Sequence, residues 1–395
     1  MIDAATTQRG APVRETLLPY GRQHIDEDDI QAVVAVLRGD WLTTGPLVDQ
    51  FEREFADFVR CEHAVAVSNG TAALHAAMFA IGVQPGDEVI VTPMTFAASA
   101  NCVLYQGGTP VFADVEPDTL LIDPAQVEAR ITDHTKAIVA VDYAGQPCNY
   151  DALRAIAEQN NLVLVDDACH AVGGSYKGRT VGTLGHLNTF SFHPVKHLTT
   201  GEGGIITTDD AGLAQKMRVF RNHGITTDHR QRAERGGFFY EMVDLGYNYR
   251  ITDFQCALGI SQLKKLPQSV LRRREIAALY DGAFADIPYV QPLKVHDGAV
   301  HAYHLYMVRF DTDLLGMDRS TIFAALRADN IGVNVHYIPV HLHPYYREHL
   351  GTHKGMCPVA ESAYERLVTL PMFPQMTDAD VDDVVTAIRR LNNHC

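Results

Sequence analysis

The chain has 395 residues, of which 46% are hydrophobic and 21% are charged, a composition typical of a globular protein with a sizeable core. This length predicts two or three domains. The formal net charge of -15 at pH 7 argues against a nucleic-acid partner, because neutralising phosphates requires a basic surface.

The N-terminal stretch and the cysteines favour a cytoplasmic protein. The opening residues, MIDAATTQRGAPVRE, lack the basic and apolar regions of a secretory signal, and no run of about 18 apolar residues follows. The seven cysteines are dispersed without a CxxC pair, which favours reduced thiols. We therefore expect a cytoplasmic location and no membrane span.

Up to about residue 265, short apolar runs alternate with segments of helical length. Strands are predicted at residues 64–68, 88–91, 110–113, 137–141 and 162–165, and helices at residues 71–81, 97–106 and 150–159. The runs of Val, Ile and Leu lack polar alternation, which is typical of strands that are buried on both faces. This order of elements predicts a mostly parallel sheet in an α/β fold.

Beyond residue 265 the pattern is that of a smaller α+β unit. A long helix is predicted at residues 269–284, strand-like runs at 303–310 and 332–338, and helices at 320–329 and 378–391, the last with Thr377 as its N-cap. We therefore predict a large domain over residues 1–265 and a small C-terminal domain over residues 266–395, which the long helix joins.

Several motifs fall where predicted strands end, the edge at which open α/β sheets bind ligands. In residues 68–73 a strand turns at Gly70 into a helix whose free N–H groups suit a phosphate, although an ordinary capped helix is an alternative. Asp166, Asp167 and His170 follow another strand. Buried acids there require a cationic partner, such as a protonated heteroaromatic nitrogen. A surface turn is one alternative, and a metal site is disfavoured because His170 is the one nitrogen ligand nearby.

A lone lysine follows a further strand. Lys196 stands before a loop that contains Gly201, Gly203 and Gly204. A desolvated lysine is a good nucleophile toward carbonyl groups, and glycines permit a planar ligand to approach the backbone closely. A surface lysine in a β-turn is the alternative interpretation.

The last motif, residues 246–251, precedes a helix. Its Tyr247 and Tyr249 suit either a ligand or the core, whereas Asn248 and Arg250 could reach a phosphate in their own chain or in a partner's.

These motifs, together with Phe96, offer partners for a phosphate, a pyridine nitrogen, an aldehyde and a ring face. Those are the four features of pyridoxal 5'-phosphate (PLP). The sequence therefore predicts a PLP site in which Lys196 holds the cofactor as a Schiff base.

Over nearly its whole length the sequence resembles the DegT/DnrJ/EryC1/StrS family of sugar-nucleotide aminotransferases. The resemblance is carried, in chain order, by SNGTAAL, TPMTFAASAN, VDDACHAVGG, SFHPVKHLTTGEGG and GYNYRITDFQCALG. It implies the aspartate-aminotransferase type I fold, PLP as the cofactor, and a homodimer with shared active sites. The pair Asp166-Asp167 departs from the Glu-Asp that the family often shows, but its second acid matches.

By this resemblance Lys196 and Asp167 are the catalytic residues. Lys196 would bind the cofactor covalently, and Asp167 would pair with its pyridine nitrogen. His170 would lie near the phenolic oxygen of the cofactor, and Phe96 would stack on its ring.

The resemblance also assigns the phosphate group. Thr71, Ala72 and Ser191 would hold it, and Asn248 would reach it from the neighbouring subunit.

Within the family, the stretches LPYGRQ, GDWLTTGP, HPVK and VHYIPV are most similar to the branch that acts in pseudaminic acid biosynthesis. This similarity implies transamination, with glutamate as amino donor, at the C4 keto group of a UDP-linked 4-keto-6-deoxy N-acetylhexosamine. Thr44, His336, Tyr337 and Arg250 are predicted to contact the substrate. The alternatives are an aminotransferase for another GDP- or dTDP-linked keto-sugar and a PLP-dependent sugar dehydratase. The dehydratase branch of the family replaces the lysine with histidine, so Lys196 favours transamination.

Three histidines, His336, His341 and His343, lie close together in HYIPVHLHP. They suggest a metal site, but no nearby cysteine or carboxylate completes a ligand set, so we predict no metal. Contact of His336 with the sugar or nucleotide, or packing inside the small domain, are the remaining interpretations.

Overall fold

A computed structural model describes residues 11–234 and 236–394. Its strands, in chain order, are β1 (His63–Val67), β2 (Glu88–Val91), β3 (Thr109–Phe112), β4 (Thr135–Val141), β5 (Val163–Asp167), β6 (Ser175–Tyr176), β7 (Arg179–Thr180), β8 (Leu187–Ser191), β9 (Gly204–Thr208), β10 (Val290–Pro292), β11 (Ala299–Val300), β12 (Tyr306–Phe310) and β13 (Leu367–Leu370).

The helices cover both the N-terminal and the C-terminal parts of the chain. They are α1 (Glu27–Leu37), α2 (Pro46–Val59), α3 (Gly70–Ala80), α4 (Ala98–Tyr105), α5 (Pro124–Glu128), α6 (Tyr150–Gln159), α7 (Ala211–Phe220), α8 (His229–Glu234), α9 (Asp253–Phe284), α10 (Thr312–Leu315), α11 (Arg319–Ala328), α12 (Pro344–Leu350), α13 (Pro358–Tyr364) and α14 (Asp378–Arg390). Short 3-10 helices occur at Tyr143–Gly145, Val340–Leu342 and Leu391–His394. None of the helices in the described part of the chain carries an apolar stretch long enough to cross a membrane.

The main sheet has seven strands in the order β1-β9-β8-β5-β4-β2-β3. Strands β2, β3, β4, β5 and β8 pair in parallel, whereas β9 runs antiparallel to both of its neighbours. The runs Val89–Val91 and Ala137–Ala140 are fully buried, which requires other elements on both faces of the sheet. The predicted α/β class with a mostly parallel sheet is confirmed.

The C-terminal part builds a second apolar cluster around a small antiparallel sheet of β10, β12 and β13. Its largest members include Tyr280, Phe284 and Tyr306, whose rings contact one another. Helix α9 contributes Cys256 to the first cluster and Tyr280 to the second. The predicted boundary between residues 265 and 266 falls inside this helix and stays a prediction.

The sequence prediction for the long helix was too short. Helix α9 starts at Asp253 rather than residue 269 and continues through Pro267. A proline removes one backbone hydrogen bond from a helix and normally breaks or kinks it. Here Leu266 and Val270 are buried on either side of Pro267, so packing against the core offsets that loss.

The strand-like run at 332–338 is not a regular strand. Its one ladder contact among the described residues of this stretch is an isolated bridge between Asn334 and Thr369. By contrast, α14 begins after Thr377 as predicted, and Thr377 and Asp380 form a reciprocal capping box.

Candidate active site

The carboxyl ends of β1, β2, β4, β5 and β8 meet at one cavity of about 670 Å³. This volume suits a cofactor together with part of a substrate. The predicted site residues that line this front cavity are Lys196, Asp167, His170, Thr71, Ala72, Phe96, Ser191, His336 and Tyr337. The parallel sheet thus brings together residues that lie far apart in the sequence.

Asp167, at the end of β5, is held by hydrogen bonds from two directions. The hydroxyl of Ser99 donates to its Oδ2 at 2.6 Å, and the N–H of Cys169 donates to its Oδ1 at 3.3 Å. The Ser99 hydroxyl also lies 2.7 Å from that of Thr95, and both side chains are buried. These two bonds fix the orientation of the side chain, so Asp167 presents its carboxyl group to the cavity in one position.

Lys196 lies in the turn after β8, where its N–H donates to the carbonyl of His193 at 2.9 Å. Desolvation lowers the pKa of Lys196 from its usual range, and the nearby Cys169 and Asp167 oppose that shift. Within the part of the chain that the structure describes, no carboxylate lies close enough for an ion pair with Lys196. A larger share of this amine is therefore unprotonated and nucleophilic than in a surface lysine.

The glycines beside Lys196 let the loop pack against the start of α3. A Cβ on Gly204 would lie 2.5 Å from the carbonyl oxygen of Asn69, and one on Gly70 would lie 2.8 Å from Cβ of Ser191. Glycine at these positions is therefore needed to bring the lysine loop and the helix N-terminus together.

The N-terminus of α3 faces the front cavity with Thr71 and Ala72. The side chain of Asn69 caps this helix and accepts a hydrogen bond from the Ala72 N–H at 2.8 Å. The first-turn N–H groups of Gly70 and Thr71 have no partner within the helix, because they precede its first repeat. They and the positive end of the helix dipole suit a phosphate, as predicted.

His170 is kept neutral beside the lysine. Burial, together with the charge of Lys196, places the pKa of His170 well below its usual 6.5. Its Nε2 lies 3.1 Å from the hydroxyl of Tyr337, and its Nδ1 is buried without a partner among the described residues. The His304 ring is tilted by 43° against the His170 ring, with 4.5 Å between the two centroids.

His336 also lines the cavity and is neutral, because burial lowers its pKa to about 4. Its Nδ1 lies 2.8 Å from the hydroxyl of Thr369.

These residues fit PLP. A fixed carboxylate, a nucleophilic amine and a helix N-terminus face one cavity, and they match the pyridine nitrogen, aldehyde and phosphate of the cofactor. Phe96 exposes 60% of its surface and so offers a ring face to a planar ligand. The unpaired Nδ1 of His170 adds a polar group to the same cavity.

Some predicted site residues do not reach this cavity in their own chain. Asn248 is exposed and bridges to Asn222 instead. Thr44 and Arg250 line a second cavity, of about 220 Å³, where the guanidinium of Arg250 donates to Asn222 at 3.0 Å. This arginine cavity also contains Arg218, Arg221 and Arg230. The predicted role of Asn248 toward a neighbouring subunit stays a prediction.

The three histidines His336, His341 and His343 have different surroundings. His341 is fully buried and contacts Glu361 at 2.9 Å, whereas His343 lies half-buried at the start of α12. Among the residues that the structure describes, no group of three or more His, Cys, Asp and Glu side chains is arranged to hold a metal ion.

The sequence analysis missed Ser99, Thr95 and His304. The first two lie in TPMTFAASAN, four residues apart, which is the spacing that places two side chains on one face of a helical turn. That spacing was an available signal, but a hydroxyl among alanines also fits an ordinary helix. His304 lies far from every motif and could be found only from the fold.

Comparison with known proteins agrees with this geometry. The sequence model of the DegT/DnrJ/EryC1/StrS aminotransferase family matches residues 23–389. The spore coat polysaccharide biosynthesis protein SpsC of Bacillus subtilis is 46% identical over 378 residues, which are 95% of this chain and 97% of that protein.

Solved structures are also similar over almost the whole chain. Helicobacter pylori PseC, an aminotransferase involved in the biosynthesis of pseudoaminic acid, superposes with a TM-score of 0.90 at 31% identity, over 96% of this chain and 100% of PseC. Spr1654 of Streptococcus pneumoniae, which is described as a sugar aminotransferase and was solved in its PLP form, gives 0.89 at 31% identity, over 95% and 99%. The predicted aspartate-aminotransferase type I fold and the predicted cofactor, PLP, are confirmed.

Proposed function

The chain belongs to the DegT/DnrJ/EryC1/StrS aminotransferase family, and we propose that this PLP-dependent enzyme uses glutamate to aminate the C4 keto group of a UDP-linked 4-keto-6-deoxy N-acetylhexosamine. The observation that carries the proposal is the meeting of Lys196 and Asp167 in one cavity beside the N-terminus of α3. The likeness to PseC supports a role in biosynthesis of the pseudaminic acid type.

When bound, PLP supplies an electron sink for the breaking C–H bond of the amino donor. Asp167, which a hydrogen bond from Ser99 orients, would hold a proton on the pyridine nitrogen. Lys196 Nζ would take the proton that leaves the α-carbon of the donor, because its lowered pKa leaves a larger share of the amine unprotonated. Thr71 and Ser191 would hold the phosphate, and Phe96 would orient the ring.

The substrate contacts are proposed to lie in both cavities. His336 and Tyr337 at the front cavity contact the sugar, since both are neutral hydrogen-bonding groups close to Lys196. Arg250 and Thr44 in the arginine cavity suit the diphosphate, because guanidinium groups bind phosphate oxygens in pairs.

We also propose a homodimer with shared active sites. The segment before Asn248 exposes an unusual amount of apolar surface, with Phe238 at 90%, Leu245 at 70% and Met242 at 65%. Burying such side chains against a second copy is favourable. The same contact would carry Asn248 and Arg250 toward the partner's front cavity.

Two measurements test the function. The purified enzyme with PLP is mixed with glutamate, and both 2-oxoglutarate and the absorbance of the cofactor are followed. Nucleotide sugars with UDP, dTDP and GDP are then compared by kcat/KM. We expect 2-oxoglutarate and a preference for the UDP sugar.

Each alternative gives a different result. A higher kcat/KM with a dTDP- or GDP-linked keto-sugar would replace the proposed substrate. Loss of a sugar hydroxyl without consumption of glutamate would identify a dehydratase.

A further inference from the structure

The N-terminal segment of residues 18–21 brings one further side chain to the front cavity. The segment belongs to the stretch LPYGRQ, and its Tyr20 lines the front cavity together with Lys196 and His336. Tyr20 is half-buried and was not predicted as a site residue. A part of the chain that is far from every strand end therefore contributes to the candidate site.

Backbone hydrogen bonds attach this segment to the C-terminal part of the chain. The N–H of Leu18 donates to the carbonyl of Asn330 at 2.9 Å, and the carbonyl of Leu18 accepts from the N–H of Gly332 at 2.7 Å. The carbonyl of Tyr20 accepts from the N–H of Met372 at 2.9 Å. A Cβ on Gly332 would lie 2.4 Å from the carbonyl oxygen of Leu18, so glycine is needed for this close approach. The backbone of Tyr20 is thus held in one position.

The residue after Tyr20 packs against the lysine loop. A Cβ on Gly21 would lie 3.6 Å from Cβ of Val195, which is an ordinary van der Waals distance. Val195 directly precedes Lys196 and also lines the front cavity. The backbone of Tyr20 therefore lies next to the loop that carries the reactive amine.

Four aromatic rings follow one another along the front cavity, and we call them the aromatic strip. The ring centroid of Tyr337 lies 6.0 Å from that of Phe96 and 4.9 Å from that of His336. The centroid of Tyr20 lies 5.4 Å from that of His336. Because Phe96 is the ring proposed to orient the cofactor, the opposite end of the strip, at Tyr20, is left for a substrate.

The hydroxyl of Tyr20 is available to a ligand. It makes no hydrogen bond with any residue that the structure describes, and it is not one of the buried unpaired atoms, so a ligand can reach it. By contrast, the hydroxyl of Tyr337 lies 3.1 Å from Nε2 of His170, and Nδ1 of His336 lies 2.8 Å from the hydroxyl of Thr369. A tyrosine hydroxyl both donates and accepts, so it suits the hydroxyl and carbonyl groups of a sugar.

The chemistry of the aromatic strip favours the sugar over the amino donor. Burial lowers the pKa of His336 to about 4 and raises the pKa of Tyr337 above its usual value, so both are neutral. Glutamate carries two carboxylates, which bind best to cationic groups. A hexose carries neutral hydroxyl, carbonyl and amide groups, together with apolar C–H faces. Such a ring suits aromatic side chains that also have a polar group.

We propose that Tyr20 is a specificity-determining residue whose hydroxyl hydrogen-bonds the hexose of the nucleotide sugar, which deepens the proposed function and rests on it. The contact is made in the half-reaction that aminates the sugar. Glutamate reacts at the same amine without it. The N-terminal segment thereby recognises the sugar through a group that takes no part in holding the cofactor.

The test compares the two half-reactions in Tyr20→Phe, which removes the hydroxyl and keeps the ring. Stopped-flow absorbance follows the PLP-loaded enzyme with glutamate, and then the enzyme after that reaction with the nucleotide sugar that gives the highest kcat/KM. Loss of one neutral hydrogen bond should lower kcat/KM for the sugar about fivefold, while the rate with glutamate stays within about twofold of the wild type. The matched control is Tyr345→Phe, at an exposed tyrosine of α12, which should change neither rate.

Equal slowing of both half-reactions in Tyr20→Phe, or a kcat/KM for the sugar equal to that of the wild type, would overturn the proposal. Weaker binding of UDP alone would also overturn it, because the contact would then lie on the nucleotide. If the enzyme forms no 2-oxoglutarate from glutamate, the proposed function fails. Calorimetry of the PLP-loaded wild type and Tyr20→Phe with the UDP-linked keto-sugar then decides the role of Tyr20, and equal affinities would refute it.

Discussion

Replacement of Ser99 with alanine removes the strongest hydrogen bond to Asp167. The donor lies 2.6 Å from Oδ2, and both groups are buried, so solvent cannot easily replace it. Hydrogen bonds to charged groups contribute about 1.5–3 kcal/mol. If half-reaction barriers rise by about 2 kcal/mol, the rate with glutamate falls roughly 30-fold.

The assay is stopped-flow absorbance of the PLP-loaded enzyme after mixing with glutamate. Ser99→Thr is the matched control, because it keeps a hydroxyl at the same position and should retain most of the rate. The affinity for PLP, measured by titration, separates weaker binding from slower chemistry. A Ser99→Ala rate within twofold of the wild type at saturating PLP would refute the role of Ser99 in fixing Asp167.

Three further outcomes are expected. Lys196→Ala should abolish turnover and the covalent cofactor adduct seen by mass spectrometry, and a turnover near the wild-type rate would remove Lys196 from the mechanism. Burial raises the pKa of the Asp142 carboxyl group from 3.8 to about 7, so the folded state binds the carboxyl proton more tightly than the unfolded state does. The free energy of unfolding therefore falls as the pH rises from about 4 to 7. In urea unfolding at pH 5 and pH 7, Asp142→Asn should reduce the difference in free energy of unfolding between the two pH values. A difference equal to that of the wild type would contradict this prediction. Leu245→Asp should shift the proposed dimer toward monomer in light scattering, whereas Leu314→Asp, at an exposed leucine of α10, should not.

The predicted strands were recognisable because most are short apolar runs between turns, whereas β6, β7, β10, β11 and β13 were not predicted. The run 88–91 has the predicted bounds, and the others differ by one to three residues. The predictions failed where tertiary packing determines the local structure. Helix α9 continues through Pro267, and residues 332–338 do not pair as a regular strand. No local pattern in the sequence distinguishes these outcomes.

The candidate site, too, could be predicted from the sequence only in part. Lys196 and Asp167 could be brought together from the sequence, because both follow parallel strands whose carboxyl ends meet. Ser99 was missed because a serine among alanines also fits an ordinary helix, although its spacing of four residues from Thr95 was an available signal. In the proposed dimer, the positions of Asn248 and Arg250 relative to the cofactor depend on a second chain, and the sequence of one chain does not give the arrangement of two.

The two neighbouring acids at the end of β5, Asp166 and Asp167, face opposite sides of the sheet. Successive strand residues point to opposite faces, so Asp167 reaches the front cavity while Asp166 turns into the core. Both oxygens of Asp166 lack a hydrogen-bond partner among the described residues, and burial beside Asp142 raises the pKa of Asp166 well above its usual value. Burial therefore disfavours the charged form of Asp166, whereas hydrogen bonds from Ser99 and Cys169 orient the carboxyl group of Asp167. Asp167, the acid to which the resemblance gives the cofactor contact, is thus the one of the pair that the pleat of the strand turns toward the front cavity.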